Sequence, residues 1–444
     1  MINTENRLIK SELPDAESIR ILDELKKVEH SSMTDLIPPI VWDKAKNFSV
    51  YDINGNKWID FTSGIAVANA GHSNSSIAKA IKKAIDASLW TPFSFPHKSR
   101  LELEKKLIKL CPNKNYKVQL LTGGSEAVEC AISLGKTFAI YKYGKNKKII
   151  ISFLNGFHGN TLTSALCSTY PNDREMLPSA DKIGVYNIPF PNNEADPDIE
   201  FEKFLKEISR QKIDPNNIAV IISEPYQGRG VYFLPVKYAK RLRLFCDEYG
   251  ISLIFDEIQS GFGRTGKMMA YEHYGIEPDI ICCGKGLTSS LPMSAVLGRS
   301  EIFDNPLSYP TLTSHAGNPI ACQAAIANID FIESHNLPKR AKILGEAISK
   351  KLKYLQKKYA PRVGYVSCKG LVVGIHICKR NGKVDGAAAK LINFRCFQKG
   401  VLMYEPKGQN VNCLKITPPL TITKKALFEA FEVLDEVMKE VFEC

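Results

Sequence analysis

The strongest constraint on this chain is a series of short apolar runs that alternate with longer segments of helical period. Residues 118–122, 149–153, 218–223, 251–256, 280–284 and 295–298 are short, strongly apolar and often β-branched, so each reads as a buried strand. Strands separated by helices imply an α/β protein with a mostly parallel sheet and its functional residues at the carboxyl ends of the strands. Two charges stand at such ends. Asp256 closes Ile251-Ser-Leu-Ile-Phe-Asp256, and Lys285 follows Asp279-Ile-Ile-Cys-Cys-Gly284. A carboxylate and an amine are therefore expected at one edge of one sheet.

A pyridoxal-phosphate enzyme needs such a pair: a lysine to form the Schiff base, and an aspartate to keep the pyridine nitrogen protonated. Two ordinary solvated charges would give the same pattern, so the pair alone leaves both readings open. A phosphate site is the next requirement. Leu120-Leu121-Thr122-Gly123-Gly124-Ser125 runs from a strand into a helix and gathers free N–H groups, a hydroxyl and a helix N-terminus, which suits a dianion. A plain capped turn would share this sequence. It lacks the Gly-Lys-Ser/Thr of a P-loop, so no nucleoside triphosphate is implied. Gly261-Phe-Gly263-Arg-Thr-Gly266 does fit the dinucleotide pattern G-x-G-x-x-G. The carboxylates of Asp256 and Glu257 would repel a pyrophosphate there, and the stretch after Gly266 is too short for a crossover helix. A tight loop is expected instead.

Composition narrows the class. A chain of 444 residues is long enough for two or three domains, and 44% hydrophobic with 24% charged residues is ordinary for a soluble protein. Its apolar runs stop well short of the roughly 18 residues of a membrane span, and residues 1–20 carry no apolar stretch behind their charges. A cytoplasmic enzyme without a membrane partner is expected. Most of the 12 cysteines lie inside apolar runs, and neither C-x-x-C nor H-E-x-x-H occurs, so they read as reduced thiols and no metal site is expected. The formal charge of +12 comes from dispersed lysines without the aromatic interleaving of a single-strand binder. It reads as a solvated basic surface rather than a nucleic-acid site, and such a surface could concentrate anionic substrates.

Along the chain, an amphipathic helix (residues 19–28) precedes a hairpin signal around Asn54-Gly55, and caps at Ser73 to Ser76 open a helix through Ile77, Ile81 and Ile85. Beyond about residue 325, helical patterns dominate, with short strands near 371–377 and 413–416. The expected division is an N-terminal segment and hairpin, 1–75, belonging to a small domain; a large cofactor domain, 76–325; and the rest of the small domain, 326–444.

Read in order, eight motifs resemble the class-III, fold-type-I pyridoxal-phosphate aminotransferases, the group that acts on 4-aminobutyrate, acetylornithine and other omega-amino acids. They are Gly64-Ile-Ala-Val67 with Gly71-His72, Gly123-Gly-Ser-Glu-Ala127, Phe157-His158-Gly159, Glu224-Pro-Tyr-Gln-Gly228, Asp256-Glu-Ile-Gln259, Lys285-Gly286, Gly317-Asn-Pro319 and Pro418-Pro-Leu420. The resemblance spans residues 52–420, and the 29-residue separation of Asp256 and Lys285 matches the family spacing.

It implies Lys285 as the Schiff-base lysine and proton carrier, and Asp256 as partner of the pyridine nitrogen. Gly124 and Ser125 would cradle the phosphate. Phe157 would stack on the ring, where many relatives carry Tyr, with His158 beside it. Gln259 would lie near the cofactor's 3′ oxygen and Glu224 behind it. Ser314 falls where relatives often have a Thr reaching the partner subunit's phosphate, which implies a homodimer with a shared site. Ile65 corresponds to a substrate-facing position. The implied reaction is ping-pong transfer of an amino group from an amine or amino-acid donor to 2-oxoglutarate or pyruvate. Amino-acid epimerases or racemases and phospholyases share these motifs and remain the alternative.

Three positions depart from the family pattern. Relatives acting on 4-aminobutyrate or acetylornithine typically continue E-P-x-Q-G with Glu, and here Arg229 follows. The arginine expected before Pro-Pro-Leu is Lys415, and the family's H-G-R-T is His158-Gly-Asn160-Thr161. Two cations thus replace an acid–base gate. Arg229 and Lys415 are expected to bind substrate anions without switching, unless Arg229 points to solvent as long basic side chains often do.

Overall fold

Asp52, Asn54, Gly55 and Asn56 build the turn that the hairpin signal anticipates. The Asp52 carboxylate accepts the N–H groups of Asn54 and Asn56 at 3.0 and 2.8 Å, and Gly55 takes φ +73°. The computed structural model describes residues 1–30, 33, 38–168, 183–192, 195–308, 313–405 and 411–443. Its chain divides into two units, one of Met1–Asn74 with Leu337–Cys444 and one of Ser75–Asn336.

In the first unit, strands β1 (Ile2–Asn3), β2 (Leu8–Ile9), β3 (Trp42–Lys46), β4 (Ser49–Asp52) and β5 (Lys57–Asp60) form a sheet in the order β1-β2-β5-β4-β3. Trp58 is fully buried there. Its ring stacks on Phe397 at 5.8 Å, and its indole N–H donates to the Phe397 carbonyl at 2.8 Å. After β5 the backbone does something unusual: Ser63, Gly64, Ile65 and Ala66 all have φ between +50° and +65°. A left-handed turn is costly for residues with a Cβ, most of all for a β-branched one. Neighbours enforce it. The Asp60 carboxylate takes the N–H and hydroxyl of Thr62 at 2.7 and 2.6 Å, and the Ser63 hydroxyl donates to the Thr417 carbonyl at 2.6 Å.

The second unit is built on the expected sheet. Its strands are β6 (Tyr116–Leu121), β7 (Ile149–Phe153), β8 (Val185–Ile188), β9 (Ile218–Ser223), β10 (Ser252–Asp256), β11 (Ile280–Cys283) and β12 (Ser294–Arg299), ordered β6-β12-β11-β10-β9-β7-β8. Every residue of β9, β10 and β11 is buried, which is why these runs are apolar throughout rather than alternating. The helix Gly124–Tyr143 lays Ala127, Val128, Ala131 and Leu134 into one core with Val220, Ile254, Cys282 and Val296.

Two features differ from the sequence reading. Strand β8 is present at the sheet's edge, where four residues with an Asn among them carry little apolar signal. Strand β12 runs antiparallel to both β11 and β6. Only a 3₁₀ turn, Lys285–Leu287, lies between β11 and β12, too little chain for the crossover a parallel strand requires. The remaining pairs β7–β8, β7–β9, β9–β10 and β10–β11 are parallel. The Gly261 to Gly266 stretch is a loop, as expected, with Phe262, Gly263 and Gly266 at positive φ. The buried Glu257 carboxylate holds it by accepting from Ser260 and from the N–H groups of Ala270 and Tyr271 at 2.6–2.8 Å.

The first unit is completed by β13 (Val363–Lys369), β14 (Val372–Ile377), the short β15 (Val401–Leu402) beside β5, and β16 (Cys413–Ile416). β13, with its polar and half-exposed residues at the edge of the three-stranded sheet β13-β14-β16, is a strand the sequence reading missed.

The left-handed turn yields a direct expectation. Ile65 is 41% exposed, so little packing offsets its backbone strain. Ile65→Gly should raise unfolding free energy by about 1 kcal/mol, read by urea denaturation, because glycine meets no steric penalty at this φ.

Candidate active site

Five chain segments leave the sheet at the same edge, and each delivers one component. β6 runs into Thr122-Gly123 and the helix start at Gly124 and Ser125; β7 leads to Phe157 and His158; β9 to Glu224; β10 ends on Asp256; β11 leads through Gly284 to Lys285. These side chains, with Gln259, line one cavity of about 170 Å³.

Asp256 is buried. Its Oδ2 accepts from His158 Nδ1 at 2.8 Å, and its Oδ1 accepts the Ile258 N–H at 3.1 Å. Burial opposes the imidazolium of His158, but the hydrogen bond and charge of Asp256, with the charge of Glu224, outweigh it and raise the His158 pKa. Glu224 is also buried. Its Oε2 accepts the Phe157 N–H at 3.0 Å and its Oε1 the Gly228 N–H at 2.7 Å, so one carboxylate joins two loops of the cavity. Burial pushes its pKa up to about 7, partly countered by His158. Burial also lowers the Lys285 amine from its usual range, against the attraction of Asp256 and Glu224. An amine so placed loses its proton more readily, as a nucleophile requires.

Lys285 itself sits at φ +44°, a sparsely populated conformation for a residue with a side chain. Asn328 braces the turn that follows: its amide donates to the carbonyls of Gly286 and Leu287 at 2.8 and 2.9 Å. Sequence reasoning missed this residue. The available signal was a polar side chain inside the apolar helix Pro319–Ser334, where Asn328 is fully buried.

Ser125 and Gly159 are in close apposition. The Ser125 hydroxyl accepts the Asn160 N–H at 3.1 Å, and a Cβ on Gly159, at φ +143°, would lie 2.4 Å from that hydroxyl. A Cβ on Gly124 would meet Ile258 Cδ1 at 3.2 Å, so a side chain at the helix start would have to push Ile258 aside. Gln259 packs its amide against Gly228. Arg229 is half-buried, with its guanidinium carbon 4.8 Å from the Phe157 ring centroid rather than directed to solvent. Ser314 is exposed in the turn before Pro319–Ser334.

The remaining two expected substrate residues belong to the other unit. Ile65 lines an apolar cavity of about 440 Å³ there with Leu22, Leu25, Trp42, Met403 and Tyr404. Lys415 is buried on β16, bridged to Tyr404 through the backbone.

The donor set in the second unit fits pyridoxal phosphate: an amine of lowered pKa, a buried carboxylate held by a histidine, an aromatic wall, and a helix N-terminus with a hydroxyl. Among the described residues no cluster of His, Cys, Asp or Glu could hold a metal ion.

Comparison with known proteins agrees with this geometry. The family model described as aminotransferase class-III matches residues 31–438. A leucine/methionine racemase of Thermococcus litoralis is 34% identical over 91% of this chain and 92% of its own length. An acetylornithine aminotransferase of Methanocaldococcus jannaschii is 34% identical over 91% and 94%. The crystal structure of a Bacillus anthracis aminotransferase superposes with a TM-score of 0.87 at 27% identity, covering 96% of this chain and all of that one.

The Glu224 carboxyl predicts a pH dependence of stability. Its folded pKa of about 7 exceeds the ordinary 4.5, so the folded state holds a proton that the unfolded state has lost between those values. Stability from this group is fully present below about pH 4.5 and is lost as pH rises through about 7. Urea denaturation at pH 5 and pH 7 should show a smaller difference for Glu224→Gln than for the unaltered chain; an equal difference would contradict the assignment.

Proposed function

This chain belongs to the class-III aminotransferase family, and on that premise we propose that Lys285 and Asp256 are its catalytic pair. It is a pyridoxal-phosphate enzyme that moves an amino group from an amine or amino-acid donor to a 2-oxo acid. The observation that carries the assignment is one cavity holding the Lys285 amine, the Asp256–His158 pair and the helix start at Gly124 and Ser125.

The bound cofactor supplies an aldehyde that takes up the amino group and a ring that accepts the electron pair left when the donor's Cα loses its proton. The chain's residues do the rest. Lys285, with its lowered amine pKa, would hold the cofactor covalently and would be the base that takes the proton from the donor's Cα. Asp256 would face the pyridine nitrogen and favour its protonated form, and His158 orients Asp256 through the 2.8 Å hydrogen bond to its Oδ2. Gly124 and Ser125 would hold the phosphate, with the helix dipole behind them. Phe157 would cover the ring and Gln259 would lie near its 3′ oxygen, while Glu224 fixes the loops that carry Phe157 and Arg229. Arg229 would bind a substrate anion, and Ile65 and Lys415 are further candidate substrate residues.

The acceptor is 2-oxoglutarate or pyruvate, and the enzyme is cytoplasmic. No helix among the described residues is long and apolar enough to cross a membrane, and none of the eleven described cysteines is in a disulfide. The working unit is a homodimer in which Ser314 reaches the partner's phosphate site. Leu89, Trp90, Phe93 and Phe95 support this, being at least 45% exposed within one short segment, more apolar surface than a monomer usually shows in one place. Sedimentation should give a dimer mass, and Trp90→Glu with Phe95→Glu should shift it toward monomer.

A second reading has a specific observation behind it, the 34% identity to a protein named as a racemase. Amino donors, including aliphatic amino acids, paired with 2-oxoglutarate or pyruvate separate the two. Net amino transfer supports the aminotransferase; deuterium exchange at Cα without keto product supports racemisation. Lys285→Ala should lower turnover at least about 1000-fold while the protein still takes up cofactor without a covalent link; activity within tenfold of the unaltered enzyme would contradict its role. Arg229→Glu should change donor preference, and an unchanged substrate profile would remove its substrate role.

A further inference from the structure

Arg229 stands where the resemblance leads one to expect a glutamate, and Phe157 stands where many relatives have a tyrosine. The two departures meet in space. The guanidinium carbon of Arg229 lies 4.8 Å from the Phe157 ring centroid, well inside the range of a cation–π contact. Both side chains are half-buried, which strengthens such a contact by excluding part of the competing water. Their backbones are coupled too. The Glu224 carboxylate accepts the Phe157 N–H at 3.0 Å and, through its other oxygen, the N–H of Gly228, the residue before Arg229, at 2.7 Å.

Phe157 lines the cavity that holds Lys285 and Asp256. A phenylalanine has no hydroxyl with which to anchor the far end of its ring. A flat cation against the ring restricts its rocking instead, and a guanidinium stays charged at any pH the protein meets. A glutamate at 229 would offer neither the plane nor the charge, and a lysine would offer only the charge.

We propose that Arg229 is a positioning residue for Phe157: its guanidinium, set over the ring, holds Phe157 as a rigid wall of the cofactor cavity and so governs how tightly the cofactor is retained. The inference rests on the reading of this cavity as a pyridoxal-phosphate site, and it assigns Arg229 a task besides any contact with substrate.

The test is a double-mutant cycle read by cofactor binding rather than activity. Cofactor-free protein is titrated with pyridoxal phosphate, and Kd is taken from equilibrium dialysis, with the visible absorption of the bound form as a second readout. Arg229→Leu, which keeps the apolar bulk, should raise Kd about 2- to 30-fold. The same substitution made on top of Phe157→Leu should change Kd less than twofold, because the ring it acts through is gone. Arg229→Lys should recover only part of the loss. An unchanged Kd in Arg229→Leu overturns the proposal, as does an equal loss in both backgrounds, which would mean that Arg229 acts independently of the ring. Should the unaltered chain take up no pyridoxal phosphate, the reading of the site falls and this inference with it. Tight binding by the unaltered chain with an insensitive variant overturns this inference alone.

Discussion

A carboxylate buried at the end of a strand is tolerable only if its neighbours answer its charge, and Asp256 is answered by one imidazole at 2.8 Å and one backbone N–H at 3.1 Å. Removing either member of a buried pair leaves the other unpaired at a cost of about 3–5 kcal/mol. The pairing therefore fixes where His158 must be, and with it the loop that carries Phe157. Glu224 extends the same logic to the loop that carries Gly228 and Arg229. His158, Asp256 and Glu224 are buried and share one cavity with the half-buried Lys285, and the charges of Asp256 and Glu224 act on both His158 and Lys285.

The sheet makes this arrangement possible. Parallel strands align their carboxyl ends, so loops distant in sequence converge without any long insertion. The price is paid in local conformation: Lys285 sits at positive φ and its turn is braced by Asn328, while Ile65 and its neighbours are held left-handed by Asp60, Thr62 and Thr417. Strained residues of this kind persist where the surroundings over-determine them, and they concentrate at sites that need a side chain held in one place.

Much of this was legible in the amino-acid sequence because the relevant signals are local. The fully buried strands β9, β10 and β11 are continuous apolar runs, and their ends name Asp256 and, just beyond β11, Lys285 without reference to any other part of the chain. The Gly-Gly-Ser turn carries its own geometry. What escaped depends on pairing across sequence distance. Strand β13 lies at a sheet edge, where partial exposure dilutes the hydrophobic pattern, and strand β8 is only four residues long with a buried Asn187 among them. The reversal of β12 follows from how little chain precedes it. Asn328 acts on a turn about forty residues earlier, and the contact between Arg229 and Phe157 joins two motifs that look independent in the sequence. The charge of Arg229 was visible; the surface it rests on was not.

The central claim is that the amine of Lys285, and no other, carries the cofactor beside Asp256. Protein loaded with pyridoxal phosphate and reduced with borohydride should, after proteolysis and mass spectrometry, carry the reduced adduct on the peptide containing Lys285. A colourless protein with no trapped adduct, or an adduct confined to a different lysine, would contradict the account.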